Sequence, residues 1–200
     1  LRRRLTYSVA GFVFCFFVSF YFAGDVFNFL VAPLTEIWRG EEARRLIYTA
    51  LHEKFFTEVK VAFFTGAFIA FPLIANQVWI FVAPGLYKNE KHAFLPFLVA
   101  TPILFILGGA FVYYLVLPVA WAFFAGYEQQ AAEGMLAIEL EPKVNEYLSL
   151  VMRLIFAFGI SFELPIVMTL LARVGLATSK GMREKRRYAV VIAFVAAAIL

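Results

Sequence analysis

The chain has 200 residues, 63% of them hydrophobic and 16% charged, with 25 Phe and a mean hydropathy of +0.82. A soluble core of this size cannot hide that much apolar surface, so the composition excludes an ordinary water-soluble domain. A net charge of +4 and a pI near 9.2 would suit a nucleic-acid partner only if the bases clustered on one solvated face, and here they sort between apolar runs instead. Cys15 is the single cysteine, so no disulfide can form within the chain.

Crossing roughly 30 Å of hydrocarbon takes about 20 apolar residues as a helix. The runs at about 5–24, 58–81, 94–125 and 147–172 meet that demand, and 188–200 reads as the start of a fifth span, so the sequence reads as ending within one. Backbone polar groups find no partner in lipid, and these runs are long and lack two-residue alternation, which selects helices over barrel strands. The first run follows Arg2-Arg3-Arg4 as a secretory signal would, but it is longer than the usual apolar core of such a signal and no small-x-small cleavage site precedes Asp25. The fold class expected is an all-α integral membrane protein, a single polytopic domain over 1–200.

Residues 25–57, between the first two spans, are too many for a turn, and the mixed stretch Ala43 to Phe56 suggests a short interfacial helix that lays Phe55 and Phe56 at the headgroup boundary. In the second span Ala62, Gly66 and Ala70 recur every four residues, a ridge that permits close packing of a neighbouring helix. Pro72, Pro96, Pro102, Pro118 and Pro165 lie inside apolar runs, where each removes a hydrogen bond and crowds the preceding turn. Helices bent in this way enclose a concave face. On one side of the spans eleven bases meet two acids, a net charge of +9, and on the other five bases meet eleven acids, a net charge of −6. By the positive-inside rule the N-terminus is cytoplasmic.

Two carboxylates stand out. Glu163 lies in Ser161-Phe162-Glu163-Leu164-Pro165, roughly 15 Å along the helix from Arg173. An ionisable group at that depth is expensive, and it marks either a polar site in a cavity or a hydrogen bond across the bundle. Pro165 leaves the Ser161 carbonyl without its usual donor, so a polar notch is expected beside the carboxyl. Glu90, in the loop from Ala83 to His92, is flanked by Lys88 and Lys91 and on charge alone reads as a solvated loop acid. His52 and His92 have no companions at ligand spacing, so no metal site is expected. No nucleophile elbow, zinc-protease motif or phosphate-binding loop occurs, and an enzyme is disfavoured.

Several strings taken together resemble the TatC family, the multispanning core of the twin-arginine protein translocase. They are Leu1-Arg2-Arg3-Arg4-Leu5, Ala32-Pro33-Leu34, Gln77-Val78-Trp79-Ile80-Phe81, Ala83-Pro84-Gly85-Leu86-Tyr87, Glu90, and Phe158 to Pro165, in family order along essentially the whole chain. The resemblance implies a six-helix bundle in the bacterial inner membrane, of which this sequence supplies four spans and the start of a fifth, reading as clipped at both ends. It implies recognition of twin-arginine signal peptides on folded substrates, with Glu90 as the acceptor of a guanidinium and Arg2, Trp79 and Phe81 beside it. A carboxylate takes two parallel hydrogen bonds from Arg, a geometry that Lys cannot reproduce. Glu163 and Gln77 would line the membrane cavity used for passage or for docking the single-span TatA and TatB subunits, and Pro33, Pro84 and Pro165 would have structural or assembly roles. Self-association in a multi-subunit complex, use of the proton motive force and the absence of a cofactor complete the implication. The alternative is a proton-coupled secondary transporter with Glu163 as its proton site and Pro165 marking a discontinuous helix.

Overall fold

The computed structural model describes residues 2–38, 45–82, 91–128, 140–173, 181, 183 and 186–199. The first apolar run forms α1 (Arg2–Tyr21), and a single non-helical residue, Phe22, separates it from α2 (Ala23–Ile37). After residues 45–52, α3 (Glu53–Val82) runs unbroken through Pro72. The third run is one continuous rod in three parts: α4 (Lys91–Phe111), a π-helical turn at Val112–Val116, and α5 (Leu117–Ala125). Its fourth counterpart is split into α6 (Val144–Phe162) and α7 (Leu164–Arg173), and α8 (Arg186–Ile199) follows. Four stretches, Arg2–Tyr21, Glu53–Val78, Pro96–Ala125 and Val144–Ala172, are long and apolar enough to cross a membrane.

One expectation is corrected. The helix between the first two spans lies at Ala23–Ile37, the described residues 45–52 are not helical, and Phe55 and Phe56 belong to the first turns of α3. The charged and proline residues Asp25, Pro33 and Glu36 give 23–37 the look of a loop. Val26, Phe27, Leu30, Val31 and Leu34 nevertheless recur at helical spacing and make one apolar face. That face is buried: Leu30, Val31 and Leu34 join Val61 of α3, Val112, Leu117 and Trp121 of the third rod, and Tyr147, Leu148 and Val151 of α6 in the main core. Pro33 is therefore a buried helix residue rather than part of an open loop.

Its consequence is specific. Without an N–H at Pro33, the Phe29 carbonyl loses its helical donor, and the Tyr113 hydroxyl of the π turn donates to that oxygen at 2.7 Å while its ring stacks on Phe29 at 4.4 Å. Tyr147 of α6 donates to the next carbonyl, Leu30, at 3.1 Å. Two tyrosines thus hold the disrupted turn of α2. The π turn has a similar origin. Pro118 cannot donate one turn back, and the Leu117 N–H reaches five residues to the Val112 carbonyl.

Close helix approaches fix the rest. The ridge Ala62, Gly66, Ala70 packs on α1, where a Cβ at Gly66 would lie 2.8 Å from Phe16 Cα. A second crossing presses α4 onto α6: a Cβ at Gly108 would stand 2.6 Å from the Phe158 carbonyl oxygen. At the end of the bundle bearing α2, Ile47 N–H donates to the Pro142 carbonyl at 3.2 Å and Val144 N–H to that of Ile47 at 2.9 Å, so the two connections at this end are tied together. This is the acidic end; Arg2, Arg3 and Arg4 mark the basic end.

Candidate functional site

The break between α6 and α7 falls on Glu163 itself. The Glu163 N–H reaches only three residues back, to the Ile160 carbonyl at 3.0 Å, and the ladder resumes when Val167 N–H meets the Glu163 carbonyl at 3.0 Å. Pro165, at the second position of α7, starts a helix without strain and cannot continue one. A carboxyl is thus placed at a built-in interruption of a membrane span, as the local sequence predicts. Ser161 and Thr169 turn their hydroxyls back onto the Ala157 and Pro165 carbonyls, at 2.7 and 2.6 Å, and stay out of the site.

Glu163 is 8% exposed. The Gly108 crossing draws α6 against α4, Phe105 fills the space over Gly159, and the buried Thr101 of α4 faces the carboxyl one turn further toward the basic end. Thr101 is the polar side chain that reaches the carboxyl, yet neither carboxyl oxygen makes a well-formed hydrogen bond to a described residue. Arg153 lies ten residues away and is exposed, so it offers no neutralising charge. A buried acceptor left open in this way costs about 1–3 kcal/mol, and an acid inside a span that is not paired is a mark of function.

The other sequence candidates are placed less fully. Gln77 is half-buried on α3 and makes no hydrogen bond to a described residue, and the adjacent Asn76 buries its Oδ1 without a partner. Trp79 and Phe81 belong to the last turn of α3, their side chains outside the description; Pro84 and Glu90 lie outside the described residues altogether. Arg2 is exposed in the first turn of α1, where Arg3 Nε donates to the Tyr7 hydroxyl at 3.0 Å. Thr101 and Asn76 were not legible as site residues. Each is one small polar side chain in an apolar run, and Thr101 and Glu163 stand 62 positions apart with no shared spacing. Among the described residues no three His, Cys, Asp or Glu side chains gather as a metal site would require.

A bundle of membrane-crossing helices with a buried, unpaired carboxyl at a helix break defines a multi-pass membrane protein built around a polar point in its interior. The profile of the family described as Sec-independent protein translocase protein (TatC) matches residues 1–200. Over its whole length the chain is 48% identical to the TatC of Magnetococcus marinus, covering 71% of that protein, and 37% identical to the TatC of Escherichia coli, covering 74%. A crystal structure of the twin arginine translocase receptor TatC in DDM superposes with a TM-score of 0.84 at 38% identity, covering all of this chain and 85% of that one. The chain belongs to the TatC family, and its fold is the TatC fold.

Proposed function

We propose that this chain is the receptor and core subunit of a translocase in the bacterial inner membrane, exporting folded proteins that carry twin-arginine signal peptides. What carries the reading is its full-length likeness to structures described as the twin arginine translocase receptor. Glu90 accepts the guanidinium of the signal peptide by the bidentate geometry open to Arg and closed to Lys, with Arg2, Trp79 and Phe81 bordering the site. Glu163 and Gln77 form the membrane part, which receives the signal peptide or the polar points of the single-span TatA and TatB helices. Export is driven by the proton motive force, without a cofactor or catalytic residue, by several copies of this subunit with their partners.

The test is binding of Arg-Arg and Lys-Lys signal peptides to the full-length protein in nanodiscs, with Glu90→Gln beside the wild type. Loss of a charge-assisted bidentate contact, about 1.5–3 kcal/mol, predicts at least tenfold weaker binding for either change. Equal binding in all four combinations removes Glu90 from the site and favours the reading in which Glu163 carries protons for a solute.

A further inference from the structure

A groove of about 720 Å³ runs between α3 and α6 toward the acidic end, well away from Glu163. Its walls are aromatic, from Phe56, Phe63, Phe64 and Phe156, yet it holds Lys60 and Arg153, which lie inside the apolar runs 58–81 and 147–172. Asn145, Ser149 and Arg153 recur every four residues and therefore form one polar row down a face of α6. At the top of that row Lys60 Nζ donates to Asn145 Oδ1 at 2.7 Å, which leaves two ammonium protons over. Arg153 is paired with no acid among the described residues.

The nearby acids among the described residues do not answer these charges. Glu58 is two residues from Lys60 and so faces nearly the opposite side of α3. Glu146 is on the face of Arg153 but roughly 10 Å away along the axis, and Glu53 is engaged by the Thr49 and Ala50 N–H groups at 2.8 and 3.3 Å. Both α3 and α6 start at the acidic end, and helical side chains tilt toward the helix N-terminus, so Lys60 and Arg153 lean together toward the headgroup layer there. Cations at that height over an apolar trough match a molecule with an anionic head and a hydrocarbon tail.

The geometry points to a bound anionic phospholipid in the leaflet at the acidic end, its phosphate between Lys60, Ser149 and Arg153 and one acyl chain along Phe63, Phe64, Ala67 and Phe156. A protein helix is the poorer occupant. Two cations would demand two carboxylates of a docking helix, and acids are rare within membrane spans, whereas one phosphate meets both; the exposed Phe56 and Phe63 open the trough to the bilayer.

Native mass spectrometry of the full-length protein, titrated with phosphatidylglycerol, phosphatidylcholine or inorganic phosphate, tests this. The wild type retains phosphatidylglycerol about tenfold more tightly than the Lys60→Gln/Arg153→Gln double variant, with Arg153→Lys in between and gel filtration unchanged. Phe156→Ala keeps both cations and loses the preference for long-chain over short-chain phosphatidylglycerol, a readout that stands if the double variant fails to fold. Equal retention of phosphatidylcholine, retention unchanged in the variants, or binding of inorganic phosphate as tight as that of lipid overturns the inference. So does a cross-link from Ala67→Cys to a partner helix that phosphatidylglycerol does not displace.

Discussion

Glu163 is retained at a cost, since both its oxygens are buried and none of the described residues satisfies them. If the carboxyl were there for packing, an apolar side chain of similar length would serve better, because an unpaired buried acceptor is worth about 1–3 kcal/mol against the fold. Glu163→Met should therefore raise the thermal midpoint of the purified protein by a few degrees while export of a folded twin-arginine reporter falls at least tenfold, a separation characteristic of a residue kept for function. A lowered midpoint with export preserved would assign the carboxyl a structural hydrogen bond instead. The position of this acid was readable from sequence because a charge in an apolar run is conspicuous. Thr101 was not, since a hydroxyl is tolerated almost anywhere in a span and its meaning comes from the helix opposite.

Proline decides the character of individual elements. In α2 it removes one donor, and the structure supplies another from Tyr113, so the two residues are coupled through the Phe29 carbonyl. Tyr113→Phe keeps the stacked ring and strands that oxygen, which should destabilise the protein by about 1 kcal/mol or more. In a Pro33→Ala background the new N–H meets the same carbonyl, and Tyr113→Phe should then cost little. Thermal unfolding of the four proteins in one detergent measures the coupling, and strictly additive effects would show that Tyr113 acts through packing alone. The four long spans were legible because length and hydropathy determine a helix in lipid almost without competition. α2 was hidden because its evidence is a period rather than a composition: Asp25, Pro33 and Glu36 dilute its hydropathy, while Leu30, Val31 and Leu34 lie on one face.

At the scale of the molecule, the two ends of the bundle differ in both charge and construction. The acidic end is closed by α2, by the pairing of Ile47 with residues 142–144, and by an exposed ion pair of Arg45 with Glu141 at 3.9 Å. The ion pair itself contributes little, but the backbone ties join connections almost a hundred positions apart. The basic end carries Arg2, Arg3 and Arg4 and, among the described residues that follow α6, Arg173, Arg183, Arg186 and Arg187. Positive charge near span ends resists translocation, so the positive-inside rule predicts the acidic end outside and the bases in the cytoplasm. With Cys15 replaced by Ala, a cysteine at the exposed Tyr48 should react with a membrane-impermeant maleimide in spheroplasts, and one at the exposed Arg183 only after lysis. The reverse pattern would turn the bundle over. It would also put the loop proposed to bind the signal peptide on the side from which substrates depart, so the orientation is a condition on the receptor reading.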